Sequence, residues 1–333
     1  MVVLKEGICP GLNEDMIKSL QAADIRTVED FVSSDTEDLA QKCSLSYKAL
    51  VAVRRVLLAQ HAAFPVSSAD LYEELLSSTA ILSTGNPSLD KLLDTGLYTG
   101  EITELTGAPG SGKTQVCFSV AVNVAYVLKQ SVMFIDTNGG ACANRLLQML
   151  QAKSSNKAEQ MEALERIRVF RVFDVFSLLT SLHGLRTDIQ RQASAGGGSV
   201  KLVIVDSVSA VLAHTLGAKQ SEGMSLMMQV AGMLKTIAKD FNIAVLVTNH
   251  AVRDGNGRFK AGLGQSWSHV PRTRVLLQPV ESPGNSSRSL RSATLTKSSR
   301  QACHQVEVFD LSSSGLSEDK GNSGKRKLDD LKL

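Results

Sequence analysis

Eight consecutive residues carry the densest chemistry in this chain: Gly107, Ala108, Pro109, Gly110, Ser111, Gly112, Lys113 and Thr114, in the pattern GxxxxGK[ST]. Glycines let a backbone curl so that its N–H groups point inward, and a helix starting there adds partial positive charge, which together cradle phosphate oxygens. Lys113 is long enough to reach terminal phosphates, and the Thr114 hydroxyl can ligate Mg²⁺. The pattern carries this meaning behind an apolar strand and ahead of a helix, and residues 102–106 and 114–128 supply both. A phosphate loop also needs a second carboxylate to hold the metal and its water. Asp206, ending the run Leu202-Val203-Ile204-Val205, provides one. An acid at a strand end serves equally as a turn or cap residue; beside a phosphate loop it reads as metal support. These residues make a nucleotide site.

The elements that must position them follow from periodicity. Apolar runs at 102–106, 132–136, 168–171, 202–206 and 244–248, separated by helical stretches, predict a mostly parallel sheet with helices on both faces, an α/β core. After residue 273 the spacing shortens, and 275–278, 293–296 and 306–310 read as a strand-rich finish. Ahead of the core, residues 1–60 read as a small helical domain. Thr27 and Asp30 form a capping-box pattern, and Ser46 precedes a helix whose Leu50, Val53, Leu57 and Leu58 share a face. Residues 61–80, with Pro65 and several serines, read as a linker; 81–311 as the core, with a glycine-rich loop at 193–199; 312–333 as a disordered tail.

The chain has 333 residues, 43% of them hydrophobic and 21% charged. That is globular composition with room for a main domain and a small one. Its net charge of +3 names no partner. The charge is uneven, however: residues 251–300 hold nine Lys/Arg against two acids, a local +7 that suits either phosphates or a solvated surface. No run approaches the length of a membrane helix, and Pro10 and Gly11 interrupt the start before a signal core forms. Five cysteines without a CxxC pair read as reduced thiols, with neither a disulfide frame nor a zinc site.

Several segments together resemble the RecA-type recombinases of eukaryotes and archaea. Residues 82–104, from Leu82-Ser83-Thr84-Gly85 to Thr103-Glu104, look like the opening of their ATPase core. The loop 107–114 with Gln115 matches their phosphate loop, and 202–207 their second acidic strand. Val245-Leu246-Val247-Thr248-Asn249-His250 looks like the strand that senses nucleotide, and 1–60 is similar to the helical domain in front. The likeness spans about residues 1–311 and is greatest to the accessory recombinase paralogues. It implies ATP and Mg²⁺ as ligands of Lys113, Thr114 and Asp206. It also matches Arg145 to an arginine that packs on adenine; the other reading of Arg145 is an ordinary exposed helix arginine.

Three departures from that family matter. Strand-exchanging members carry a glutamate where Asn138 stands. An amide can orient water but cannot accept its proton, and loss of a general base costs about 10²–10⁴ in rate. The sensor strand usually ends in Thr-Asn-Gln, whereas here Asn249 is followed by the titratable His250. Ser44 stands where relatives carry glycine, which turns 1–60 towards docking proteins rather than DNA.

The resemblance further implies two DNA-gripping loops. The first, 215–223, holds Lys219. The second, 252–264, holds Arg253, Arg258, Phe259 and Lys260, cations and an aromatic suited to sequence-independent binding of single-stranded DNA. Phe64 occupies the place of a linker aromatic that docks on the next subunit, or packs on its own domain. Lys297 and Arg300 either face a neighbour's nucleotide or are plain surface charge. Lys325-Arg326-Lys327 fits a short nuclear signal. The expected function is support of homologous recombination and DNA repair within a hetero-oligomer of recombinase paralogues in the nucleus. The competing expectations are a scaffold with a structural nucleotide and a fully active DNA-dependent ATPase.

Overall fold

The computed structural model describes residues 2–61, 65–195, 200–218, 220–253, 259–280 and 290–318. They form two compact units, Met1–Glu74 and Leu75–Leu333. Phe64, Lys219, Arg258 and residues 325–327 lie outside the described residues.

The first unit holds α1 (Glu14–Ala22), α2 (Val28–Ser33), α3 (Thr36–Cys43) and α4 (Tyr47–His61). The predicted capping box is present: the Asp30 N–H donates to Thr27 Oγ1, and the Thr27 N–H to Asp30 Oδ2. Helix α4 buries Leu50, Val53 and Leu57 in one apolar cluster with Leu20 and Phe31. Leu58 departs from expectation at 45% exposure, because each further residue turns about 100° round the helix. Arg54 fastens α4 to the α2–α3 corner by donating to the Val32 and Ser34 carbonyls at 2.7 and 3.1 Å. Helix α3 ends on Ser44 at φ +54°, a left-handed conformation. The span read as a linker contains α5 (Ser68–Ser78), which buries no side chain.

The second unit continues with β1 (Ile81–Leu82), α6 (Pro87–Leu92), β2 (Leu97–Tyr98), β3 (Ile102–Gly107), α7 (Lys113–Tyr126), β4 (Ser131–Asp136), α8 (Ala143–Gln151), α9 (Lys157–Glu165), β5 (Ile167–Arg171), α10 (Val175–Ala195) and β6 (Val200–Asp206). It closes with α11 (Val208–Leu212), α12 (Thr215–Ala218), α13 (Gln220–Phe241), β7 (Ala244–Arg253), β8 (Phe259–Ala261), α14 (Gly264–Ser268), β9 (Thr273–Pro279), β10 (Leu290–Lys297), β11 (Val306–Ser312) and β12 (Gly315–Glu318). The main sheet runs β12-β11-β10-β9-β3-β7-β6-β4-β5. It is parallel from β9 to β5 and antiparallel from β9 to β12.

Successive residues of the central strands feed opposite faces. Val132 and Phe134 join the apolar layer under α7, while Met133 and Ile135 join the layer under α10 and α13. That two-sided burial is why these strands are continuously apolar in sequence. The carboxyl ends of β3, β7, β6 and β4 lie side by side, which is where open α/β sheets bind ligands.

Three loop expectations are corrected. Residues 215–223 are largely helical, in α12 and the start of α13. Gly223, which looks like a loop glycine in sequence, serves close approach: a Cβ there would run into the Thr215 carbonyl. Residues 252–264 are only partly loop, because β7 runs on to Arg253 and pairs antiparallel with β8. The core also extends beyond 311. Ser312 pairs with Gly315 across a hairpin turn into β12, and the polar turn residues read in sequence as the onset of a tail.

Candidate functional site

Strand β3 ends at Gly107, and the chain curls through Gly110 (φ +77°) and Gly112 (φ +98°) into α7. Both glycines adopt the left-handed region that side-chain-bearing residues avoid. Gly107 is needed for space as well, since a Cβ would meet the Ser111 side chain and, at 2.6 Å, the Leu277 carbonyl. Ala108 and Pro109 form the outer turn, Pro109 exposed, and Ser111 is buried beneath it. Lys113 Nζ donates to the Gly107 and Ala108 carbonyls at 2.8 and 3.0 Å, which holds it along the loop. Burial lowers the Lys113 pKa, and the Asp206 carboxylate pulls it back up.

Asp206, buried at the end of β6, accepts from the Thr248 hydroxyl on β7. Its charge acts on Lys113, on the Cys117 thiol and on His250, which places the carboxylate within electrostatic reach of the loop. A threonine hydroxyl at the first turn of α7 and a carboxylate on β6 form an all-oxygen donor pair of the kind Mg²⁺ takes. The residues present therefore fit that metal.

Asn138 lies just past β4 and is exposed. Its N–H donates to Asp136 Oδ1 at 3.1 Å, and the same carboxylate collects the Gly140 and Ala141 N–H groups. The loop is thus tied to a buried acid while the Asn138 side chain stays outside. Asn249 is fully buried and its Nδ2 donates to Glu104 Oε1 at 2.9 Å and to the Gly262 carbonyl at 3.1 Å. His250 is exposed, with its N–H donating to Ser209 Oγ at 3.3 Å. Arg145 is committed within its own chain: Nε donates to Gln115 Oε1 at 2.8 Å, and Nη2 to the Ser312 carbonyl at 2.8 Å. It is thereby held in the wall of an open cleft of about 380 Å³ lined also by Gly110, Gly112, Lys113, Thr114 and Gln115.

Of the residues expected to meet DNA, Arg253 and Phe259 are directly paired across β7 and β8, with the guanidinium 5.1 Å from the ring centroid. Lys260 pairs opposite Val252 and is exposed. Lys297 and Arg300 are engaged inside the chain. Lys297 Nζ donates to the Ser268 and Pro271 carbonyls at 2.8 and 2.7 Å. Arg300 forks onto both Glu101 oxygens at 2.6 and 2.7 Å and lies 3.5 Å over the Tyr98 ring. The trans role considered for this pair has no free cation behind it.

Sequence reasoning missed two features. Glu104, wholly buried in β3, receives Asn249, Trp267 Nε1 at 2.8 Å and Arg274. Its signal was an acid inside a strand otherwise free of charge. Arg291 and Leu311, from β10 and β11, complete the cleft wall; they lie about 180 and 200 residues downstream of the loop, and no local pattern joins them to it.

Comparison with known proteins agrees with this geometry. The family model described as "RAD51D, N-terminal domain" matches residues 1–60, and the model described as "Rad51" matches 76–279. The chain is 55% identical over 319 residues to mouse "DNA repair protein RAD51 homolog 4", covering 96% of this chain and 97% of that one. The cattle protein of the same description is 56% identical over 316 residues, covering 95% and 97%. "DNA repair and recombination protein RadA" of Aeropyrum pernix is 26% identical over 289 residues, covering 83% and 86%. With both units matched and near-full-length relatives above half identity, the chain belongs to the Rad51 family.

Proposed function

We propose that this protein is an ATP-binding accessory recombinase of homologous recombination and DNA repair. It acts in the nucleus within a hetero-oligomer of recombinase paralogues, supporting the main recombinase on single-stranded DNA. One observation carries this reading: Lys113 lies along the loop with Thr114 next to it and the Asp206 carboxylate within electrostatic reach, whereas Asn138 stands where the resemblance puts the glutamate of strand-exchanging members. Lys113 and the N–H groups of 110–114 would hold the phosphates, and Thr114 and Asp206 would hold Mg²⁺. When bound, the metal neutralises phosphate charge. Asn138 can orient a water but not deprotonate it, so ATP is held longer than it is cleaved.

Nucleotide state passes from Asn249 and His250 along β7 into the hairpin that carries Arg253, Phe259 and Lys260, which grip DNA weakly and in a salt-dependent manner. The Gly262 carbonyl, which accepts from Asn249, ties the return strand to the sensor.

A single-turnover assay of bound, labelled ATP with and without single-stranded DNA tests this. The wild type retains ATP and cleaves it slowly, while Asn138→Glu cleaves faster by about tenfold or more, part of the range a general base supplies. Brisk DNA-stimulated cleavage by the wild type would show that another residue activates the water.

A further inference from the structure

The row of β10 that faces α7 reads Arg291, Ala293, Leu295. Ala293 and Leu295 are buried in the apolar layer beneath α7. Arg291 continues that row to its end beside the phosphate loop, where it lines the cleft with Lys113, Thr114 and Arg145. Phe309 stands opposite it on β11 and is fully buried. A Cβ built on Gly112 would sit 3.7 Å from Arg291 Nε, so the guanidinium stem lies directly against the loop.

Among the described residues this cation has no compensating charge. Its described hydrogen bond runs from Nη1 to the Leu290 carbonyl at 2.9 Å. Its Nε is buried without a partner. Among the described residues no ion pair includes it, whereas two other arginines of this half of the unit are neutralised: Arg274 in β9 by Glu104, and Arg300, just past β10, by Glu101. The surroundings are positive as well, because Lys113, Arg145 and the amino end of α7 face the same cleft. A buried guanidinium nitrogen among like charges is unfavourable by itself and calls for an anion.

We infer that Arg291 is a further nucleotide-binding residue, donating to the α-phosphate of a nucleoside di- or triphosphate; this rests on the nucleotide reading given above. On the nucleotide reading Lys113 and Thr114 address the terminal phosphates and Arg145 the base; Arg291, against Gly112 in the same cleft, is then left the phosphate nearest the sugar. A contact at the α-phosphate is common to ADP and ATP, so Arg291 governs the affinity for both and the discrimination of neither.

The test uses the full chain, fluorescent ADP and ATP analogues, and thermal unfolding without ligand. Arg291→Gln is expected to weaken both nucleotides by the same factor, about tenfold or more for one charge-assisted hydrogen bond. Arg291→Lys should recover part of that loss, and ligand-free Tm should not fall in either variant. Undiminished binding by Arg291→Gln, or a loss confined to ATP, overturns the inference and leaves the nucleotide reading standing. If the wild type binds neither analogue, the nucleotide reading itself fails and takes the inference with it.

Discussion

His250 lies within electrostatic reach of Lys113 and Asp206, and its surroundings decide which form it takes. Partial burial of the ring lowers its pKa below the usual imidazole value, the Lys113 ammonium lowers it further, and Asp206 opposes them. The shift favours the uncharged ring beside a site already rich in cations. Because its folded pKa lies below the unfolded one, the unfolded chain takes up this proton first, so the His250 contribution to stability is present above the unfolded value and lost as pH falls through it. Two measurements follow. NMR titration should place the His250 midpoint below that of an exposed histidine, and Lys113→Met should raise it. A midpoint unmoved by Lys113→Met would mean that the two groups do not interact. In denaturant unfolding between about pH 7.5 and 5.5, the wild type should lose more stability than His250→Asn.

At the scale of elements, Ser44 makes a sharper prediction than any apolar contact. It closes α3 with φ +54°, where a side chain costs about 1–2 kcal/mol that glycine avoids. Glycine loses more chain entropy on folding, so Ser44→Gly should stabilise the helical unit by about 0.5–1 kcal/mol, read as a higher denaturation midpoint in far-UV circular dichroism. A lower midpoint would show that the Ser44 side chain itself holds the corner. The contrast between what the chain announces and what it hides is clear at this scale. The strands at 102–106, 132–136, 202–206 and 244–248 were legible because both of their faces are buried, and the loop 107–114 because its spacing is itself the chemistry. The capping box of Thr27 and Asp30 was legible because it is local. Gly223 misled because a glycine for close helix packing looks like a glycine for a loop. The β7–β8 hairpin was hidden because its residues 252–264 are polar and glycine-rich, and so read as loop. Glu104 showed only as an acid within a buried strand, its partners Asn249, Trp267 and Arg274 being far off in sequence, and Arg291 was hidden because only the folded sheet brings it to the cleft.

Across the whole molecule, the two units carry separate apolar cores, one built around Leu50 and Phe31 and the others on the two faces of the sheet. The single tryptophan, Trp267, is fully buried on the sheet side, where its Nε1 donates to Glu104. Its fluorescence therefore reports the second unit alone, while circular dichroism sees the helices of both. A ligand bound only by the folded state at about 100 times its Kd adds about 2.7 kcal/mol, or roughly 5–10 °C in Tm for a unit of this size. MgATP should then raise the Trp267 transition by that amount and leave a helical transition from the first unit where it was, separating two overlapping melts. Lys113→Ala should abolish the shift without lowering the ligand-free Trp267 transition, because Lys113 is bonded to loop carbonyls rather than to the core. If MgATP moved both transitions together, the units would be coupled through the nucleotide, and the helical unit would have to be counted as part of the ATP response. If it moved neither, the loop would not be holding phosphate, and the nucleotide reading would fail.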